Sequence, residues 1–230
     1  MIQLVVFDMA GTTVYDGDAV SLCLRAALAE QGVSATRDEV NAVMGLPKPV
    51  AIARLLAASS SGDVAAAEVK MVHDDFLRRM IAHYRKDPSV VPCDGAEETF
   101  DWLKRHDIKV ALDTGFDRTI ASTILERLGW AGSPLIDATV TSDEVARGRP
   151  APDMIERAMH LCGVVDHAAV GKVGDTPADL RQGAAAGCGL VVGVTSGSHS
   201  RAQLAAVPHT HLIDRLAELP PLLPLRSHLT

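Results

Sequence analysis

Long apolar runs, paired cysteines, clustered cations and metal-spaced histidines are all missing from this chain of 230 residues, and each absence excludes something. No apolar stretch approaches the ~20 residues that span a bilayer, although 47% of the residues are hydrophobic. Length and composition indicate one globular domain, or one with a modest insertion. The opening MIQLVVFDMAGTT lacks a basic leader and reaches an acid at Asp8, so it reads as a first strand and not as a signal peptide. Cys23, Cys93, Cys162 and Cys188 show no CxxC spacing and read as buried thiols, which favours the cytoplasm. A formal net charge of -7 argues against a nucleic-acid partner, which needs clustered cations. A small anion is still acceptable, because a local pocket can be positive in an acidic protein. Lysine is scarce, so the place of each one carries information.

What is present is an alternation. Gln3–Asp8, Ile108–Asp113, Ala168–Asp175 and Leu190–Thr195 are short β-branched runs, and helical patterns follow the last three at Asp117–Leu128, Pro177–Ala186 and Arg201–Ala206. Strands alternating with helices predict an α/β fold with a parallel sheet and crossover helices. Ala138–Thr141 and His209–Ile213 read as added edge strands. From Tyr15 to Lys86 only helical patterns occur, at Ala19–Gln31, Arg37–Met44, Val50–Ala58 and Val64–Tyr84. A crossover needs one helix, so this excess predicts an inserted all-helical cap over 15–87, with the core formed by 1–14 plus 88–230. Ser59–Asp63 reads as a loop inside the cap, 87–92 as the hinge back, and 219–230 as a proline-broken tail. There is no internal repeat.

In parallel sheets the chemistry gathers at the carboxyl ends of strands, where Asp8, Asp113, Thr114 and Asp175 all fall. Asp8 is followed by a glycine turn and two threonines. Such a carboxylate can attack phosphorus if a cation neutralises it and the phosphate; alone it could equally be a turn-forming acid. Gly11 lets backbone N–H groups approach phosphate oxygens, and Thr12 adds a hydroxyl. Thr114, with Gly115, can offer a hydroxyl at a helix N-terminus or serve as an ordinary cap. In ARGRPAPDM, Arg149 can hold phosphate and the Asp8 carboxylate together, with Arg147 as its competitor. Asp175 and Asp179 in GDTPADL suit oxygen-seeking Mg2+, and Asp179 also fits a capping box with Thr176.

Together, in this order, these segments resemble the haloacid dehalogenase superfamily of phosphohydrolases, across the whole chain. The resemblance implies a Rossmann-like core with a helical cap after strand one, an aspartyl-phosphate intermediate, and Mg2+ held by Asp8, the Ala10 carbonyl and Asp175. Most phosphatases of that superfamily carry a second Asp two residues after the nucleophile, where this chain has Ala10. That acid protonates the leaving oxygen, a contribution typically worth ~10²–10⁴-fold. Lys48, between two prolines in MGLPKPV, stands where a cap helix begins. The helix dipole and desolvation both disfavour its charged form there. A neutral amine can condense with an aldehyde, and the iminium is an electron sink for a C–P bond that needs no acid at Ala10.

The pair resembles the phosphonoacetaldehyde hydrolases (phosphonatases), matching at Asp8-Met9-Ala10-Gly11-Thr12-Thr13, Met44-Gly45-Leu46-Pro47-Lys48, Gly148-Arg149-Pro150 and Gly174-Asp175-Thr176. That resemblance implies Lys48 as the Schiff-base residue, Met44 and Gly45 lining the site, Asp8 as nucleophile, Arg149 balancing charge, and a small phosphonate or phosphate substrate. It also implies a homodimer through the apolar cap helix Ala19–Gln31, although such a helix can be apolar for packing alone. The departures are Met9 for a tryptophan, Asp18 for a cysteine, Ala51 for a histidine and Phe116 for a tyrosine. They suggest a phosphonatase-like relative that takes phosphonoacetaldehyde or a close phosphonate aldehyde. The rivals are a phosphomonoesterase with a different acid, a dehalogenase, and a catalytically silent phosphate-binding protein.

Overall fold

The computed structural model describes residues 1–59 and 63–223. Among them six strands form one all-parallel sheet, β1 (Leu4–Asp8), β2 (Lys109–Thr114), β3 (Ala138–Thr141), β4 (Val170–Gly174), β5 (Leu190–Val194) and β6 (His211–Ile213), in the order β3-β2-β1-β4-β5-β6. Successive side chains of a strand point to opposite faces, and β1 shows the consequence. Val5 and Phe7 join one apolar cluster with Phe100, Leu103 and Ile120, whereas Leu4 and Val6 join another with Met154, Ile155 and Ala158. A parallel sheet covered on both faces demands such an unbroken apolar strand. Because β2 and β4 flank β1 and the chain winds outward from both, a crevice opens at the carboxyl end of β1.

The helices are α1 (Ala19–Ala29), α2 (Arg37–Asn41), α3 (Lys48–Ser59), α4 (Ala66–Lys86), α5 (Ala96–Arg105), α6 (Arg118–Arg127), α7 (Asp153–Cys162), α8 (Pro177–Ala185) and α9 (Arg201–Ala205). The insertion after β1 is all-helical, as the missing strand patterns predict. In it α1 and α3 pack on α4, which in turn packs on α6 of the core. Residues 14–15 and 91–93 run side by side beneath it, with Tyr15 N donating to Val91 O at 3.0 Å and Cys93 N to Thr13 O at 2.8 Å. The apolar residues Val20, Leu24 and Leu28 of α1 are buried within this one chain.

Three expectations need correction. α3 starts at Lys48, two residues before the predicted Val50, because Ala51 N already bonds Pro47 O at 3.0 Å. The helix α5, unforeseen, buries Ala96, Thr99, Phe100 and Leu103 at helical spacing, with Glu97 and Glu98 in its first turn and Lys104 and Arg105 in its last. The expected tail packs instead of trailing: Leu219 and Leu223 enter the main core cluster, and Thr99 Oγ1 donates to Leu216 O at 3.3 Å. The centre of the predicted loop, 60–62, and the end of that segment, 224–230, lie outside the described residues. The four cysteines are free thiols, half-buried where burial was expected. Among the described residues no helix is long and apolar enough to cross a membrane.

Candidate active site

A cavity of about 350 Å³ opens where the helical insertion meets the carboxyl ends of the strands, and Asp8, Ala10, Gly11, Met44, Gly45, Lys48, Thr114, Gly115, Arg149 and Asp175 all line it. Asp8 ends β1 and is 5% exposed. The turn after it folds back through Thr12 N, Thr13 N and Val14 N, all donating to Met9 O, while Thr13 Oγ1 donates to Asp8 O at 2.9 Å. Gly11 has φ +90°, and a Cβ there would stand 2.7 Å from Asp175 Oδ2. Glycine therefore lets this turn approach the end of β4. Gly45 does the same for the insertion: with φ +81° and an ideal Cβ 2.3 Å from Thr176 Oγ1, it lets the segment before Lys48 lie directly on the core.

The floor of the cavity is a buried charge network. Arg149 Nη1 donates to Asp8 Oδ1 at 2.6 Å and stands 3.0 Å from Asp179 Oδ1, while its Nη2 donates to Asp113 through both carbonyl and carboxylate. Lys172, wholly buried in β4, pairs with the same Asp113 oxygen and lies 3.1 Å from Asp179. Burial would weaken the charge of Arg149, but Asp113, Asp179 and Asp8 hold its pKa well above the ordinary value. Arg147, the competing candidate, is outside the site and pairs with Asp153 at 2.8 Å. Lys172 escaped the sequence reading, because a lone lysine in a strand ordinarily faces water; its only signal was an apolar neighbour on either side.

Asp179 adopts the alternative cap role. Thr176 Oγ1 accepts from Asp179 N and donates to Asp179 Oδ2 at 2.5 Å, closing a capping box on α8. One of its carboxylate oxygens still lies with oxygens of Asp8 and Asp175 in a cluster no wider than 4.8 Å, suited to a metal ion. Thr114 is not the cap of α6, a role taken by Asp117, which accepts from Ile120 N at 3.0 Å. Thr114 Oγ1 accepts from Phe116 N at 3.1 Å, leaving its proton for the cavity. Asp175 accepts from Thr12 Oγ1 at 3.1 Å and from Ser198 N and Oγ at 2.7 Å each. Ser198, on the loop after β5, carried no sequence signal.

The donor set fits a divalent cation. Burial pushes Asp8 up to about 8, with Asp179 and Asp175 adding to the rise against Arg149 and Lys172. Asp175 is raised too, first by burial and then by Asp179. Two carboxylates held against their own ionisation by burial and mutual repulsion are what a hard cation with oxygen ligands relieves.

The wall is different. Lys48, 5% exposed, has no carboxylate within ion-pair distance among the described residues. Its Nζ stands 5.0 Å from the Phe116 ring centroid and 5.9 Å from that of Phe76. Burial lowers its pKa to about 8, against the pull of Asp8 and Asp16 and with some help from Arg149. Phe116 lines the cavity, whereas Met9 and Ala51 are buried in the core away from it and Asp18 is tied to Arg37 at 3.0 Å.

The family model described as haloacid dehalogenase-like hydrolase matches residues 5–193. The chain is 29% identical over 233 residues to a phosphonoacetaldehyde hydrolase of Latilactobacillus sakei, covering 95% of this chain and 86% of that one. Its fold is similar to the solved structure of a phosphonoacetaldehyde hydrolase-like protein from Oleispira antarctica, with a TM-score of 0.84 at 22% identity over 96% of this chain and 91% of that one. It is also similar to a predicted phosphoglycolate phosphatase from Haemophilus somnus, with a TM-score of 0.81 at 20% identity over 96% and 97% of the two chains.

Proposed function

The chain belongs to the haloacid dehalogenase-like hydrolases, and from that premise we propose that it cleaves the C–P bond of phosphonoacetaldehyde or a close phosphonate aldehyde. The observation that carries this reading is Lys48, a buried amine without an ion-pair partner among the described residues, on the cavity that also holds Asp8. The alanine at position 10 is its counterpart, since an enamine leaving group needs no acid there.

The neutral amine of Lys48 adds to the aldehyde carbon, and loss of water gives an iminium. Asp8 then attacks phosphorus. The new O–P bond forms as the C–P pair moves into the carbon framework, giving an enamine on Lys48 and an aspartyl phosphate on Asp8. Water hydrolyses both, releasing an aldehyde and phosphate. Arg149 and the Thr114 hydroxyl hold the phosphonate oxygens, and the Gly11, Thr12 and Gly115 backbone cradles them. Asp8, the Ala10 carbonyl and Asp175, with Asp179 closing the cluster, would hold Mg2+. When bound, it supplies charge neutralisation between carboxylate and phosphonate. Residues 15–87 act as the cap that excludes water, with Met44 and Gly45 facing the substrate.

Incubation with phosphonoacetaldehyde and borohydride should fix a reduced adduct on Lys48 and inactivate the protein. Lys48→Arg should form no adduct and release phosphate at least ~10³-fold more slowly; an equal adduct in that variant would sink the reading. A second reading, a phosphomonoesterase, draws on the fold similarity to the phosphoglycolate phosphatase. It requires p-nitrophenyl phosphate to be turned over as well as the phosphonate, with no dependence on Lys48.

A further inference from the structure

The aldehyde half of the proposed reaction needs a proton donor, and the positions that could be expected to supply one are empty of acids. Ala10 has none, Ala51 is an apolar core residue, and Phe116 has no hydroxyl. Lys48 cannot serve, because it is the nucleophile. When its nitrogen has added to the aldehyde carbon, the resulting hydroxyl must leave as water. Without a proton it would leave as hydroxide, a far poorer leaving group.

The remaining ionisable side chains on the cavity sort themselves by geometry. Asp8 and Asp175 are committed to the acidic cluster, and Arg149 is bound to three carboxylates. Asp18 and Arg37 hold one another at the rim, Tyr15 is 52% exposed, and burial pushes the Cys93 thiol up to about 12. Asp16 is left. It is half-buried on the cavity lining, between the nucleophile turn and α1. Its Oδ1 accepts from Val20 N at 3.2 Å, which fixes the carboxyl plane, and the described residues offer its other oxygen no hydrogen bond. Lys48 and Asp16 line the same cavity without forming an ion pair among the described residues, so a substrate carbon on Lys48 shares that cavity with the Asp16 carboxyl.

We propose that Asp16 is the proton-transfer residue of this half-reaction, donating to the hydroxyl that departs as Lys48 forms its iminium. The proposal rests on the C–P reading above. The C–O bond breaks with its electron pair going to oxygen, which takes the Asp16 proton and leaves as water. The nitrogen lone pair closes the C=N bond. The enamine carbon takes a proton from solvent; when water then attacks the resulting iminium, the Asp16 carboxylate takes a proton back, so the residue ends each turnover as it began. Its surroundings suit a donor near neutrality. Burial, Asp175 and Asp18 raise its pKa against the Val20 amide and Lys48, to about 6, and Cys23, Cys93 and Tyr84 are the other titratable groups near it.

The test compares wild type, Asp16→Asn, Asp16→Ser and Asp16→Glu with phosphonoacetaldehyde, reading phosphate release and borohydride trapping on Lys48 from pH 5 to 9. Wild type needs Asp16 protonated and Lys48 neutral, so its rate should form a bell with limbs near 6 and near 8. Asn and Ser both keep an acceptor for Val20 N, so each variant should fold with an unchanged thermal midpoint. Both should lose ~10²-fold or more in kcat, with trapping slowed in parallel. Their profiles should become a single rise through about 8, without the alkaline fall. Glutamate should restore that fall. If wild type turns over while Asn and Ser stay within ~3-fold of it and keep the alkaline fall, Asp16 has no such role. If wild type gives neither phosphate nor a Lys48 adduct, yet hydrolyses p-nitrophenyl phosphate, the C–P reading fails and the Asp16 assignment falls with it.

Discussion

Two buried sets of charges face each other across one cavity, and they are built on opposite principles. On the floor, Arg149 touches Asp8, Asp113 and Asp179, and Lys172 touches Asp113 and Asp179. On the wall, Lys48 has aromatic rings for neighbours and no carboxylate in contact. Burial strips water from both sets. The floor compensates by pairing, which holds Arg149 and Asp179 in their charged forms; the wall does not compensate, which lowers the amine's hold on its proton. In the proposed reaction Arg149 must stay charged and is paired, whereas Lys48 must lose its proton and is left alone.

The sharpest cut between floor and wall is at Asp8. Asp8→Asn should lower phosphate release on the order of 10⁴-fold or more, equivalent to more than ~5 kcal/mol of barrier. Borohydride trapping on Lys48 should persist in that variant, because iminium formation precedes attack on phosphorus. Loss of trapping together with phosphate release would show that the two sets do not act separately.

Stability measurements should separate them next. Lys172→Met leaves Asp113 and Asp179 short of a buried partner and should cost ~3–5 kcal/mol in urea unfolding. Lys48→Met removes a buried, unpaired cation and forfeits only contacts to Phe76 and Phe116, so its cost should stay below ~1 kcal/mol. Equal losses would break the comparison.

How much of this could be read from residues alone depended on whether the signal was local. Asp8, Thr114 and Asp175 each sit where an apolar strand stops and a turn or helix begins, so pattern alone placed them at one edge of the sheet. The Thr176–Asp179 box is equally local, three residues apart. Lys172 and the pairing of Asp113 with both cations were not visible. Arg149 and Lys172 lie 36 and 59 residues from Asp113 in the chain, joined to it only by the sheet register and the loop before α7. Asp16 enters the cavity because the insertion folds over the core, Ser198 because the loop after β5 is held on Asp175, and Leu219 was hidden by prolines that normally end structure. Composition cannot report a contact that only the crossovers create.

The pH dependence of trapping is a smaller effect and tests the wall directly. With Lys48 lowered from 10.5 to about 8 by burial, the neutral amine share rises about tenfold per pH unit up to that point and then levels. In Asp16→Asn, where no donor titrates, the trapping rate should follow that rise and flatten above pH 8. A solvated lysine would keep rising to about 10. A continued rise would therefore place the amine in water and remove the distinction between wall and surface.

The smallest effect should come from Arg147, two residues from Arg149 and opposite to it in environment. Its side chain is 71% exposed and pairs with Asp153 at 2.8 Å. An exposed pair is screened by solvent and rarely contributes more than ~1 kcal/mol. Arg147→Ala also keeps the backbone N–H that donates to Asp153 Oδ2 at 3.2 Å, and Asp153 begins α7, where the helix dipole favours its charge without any side-chain partner. Arg147→Ala should thus leave the unfolding midpoint unchanged and phosphate release within ~2-fold of wild type. A larger loss of activity at unchanged stability would mean that the loop carrying Arg149 is held from outside the site, and the floor would then extend to the protein surface.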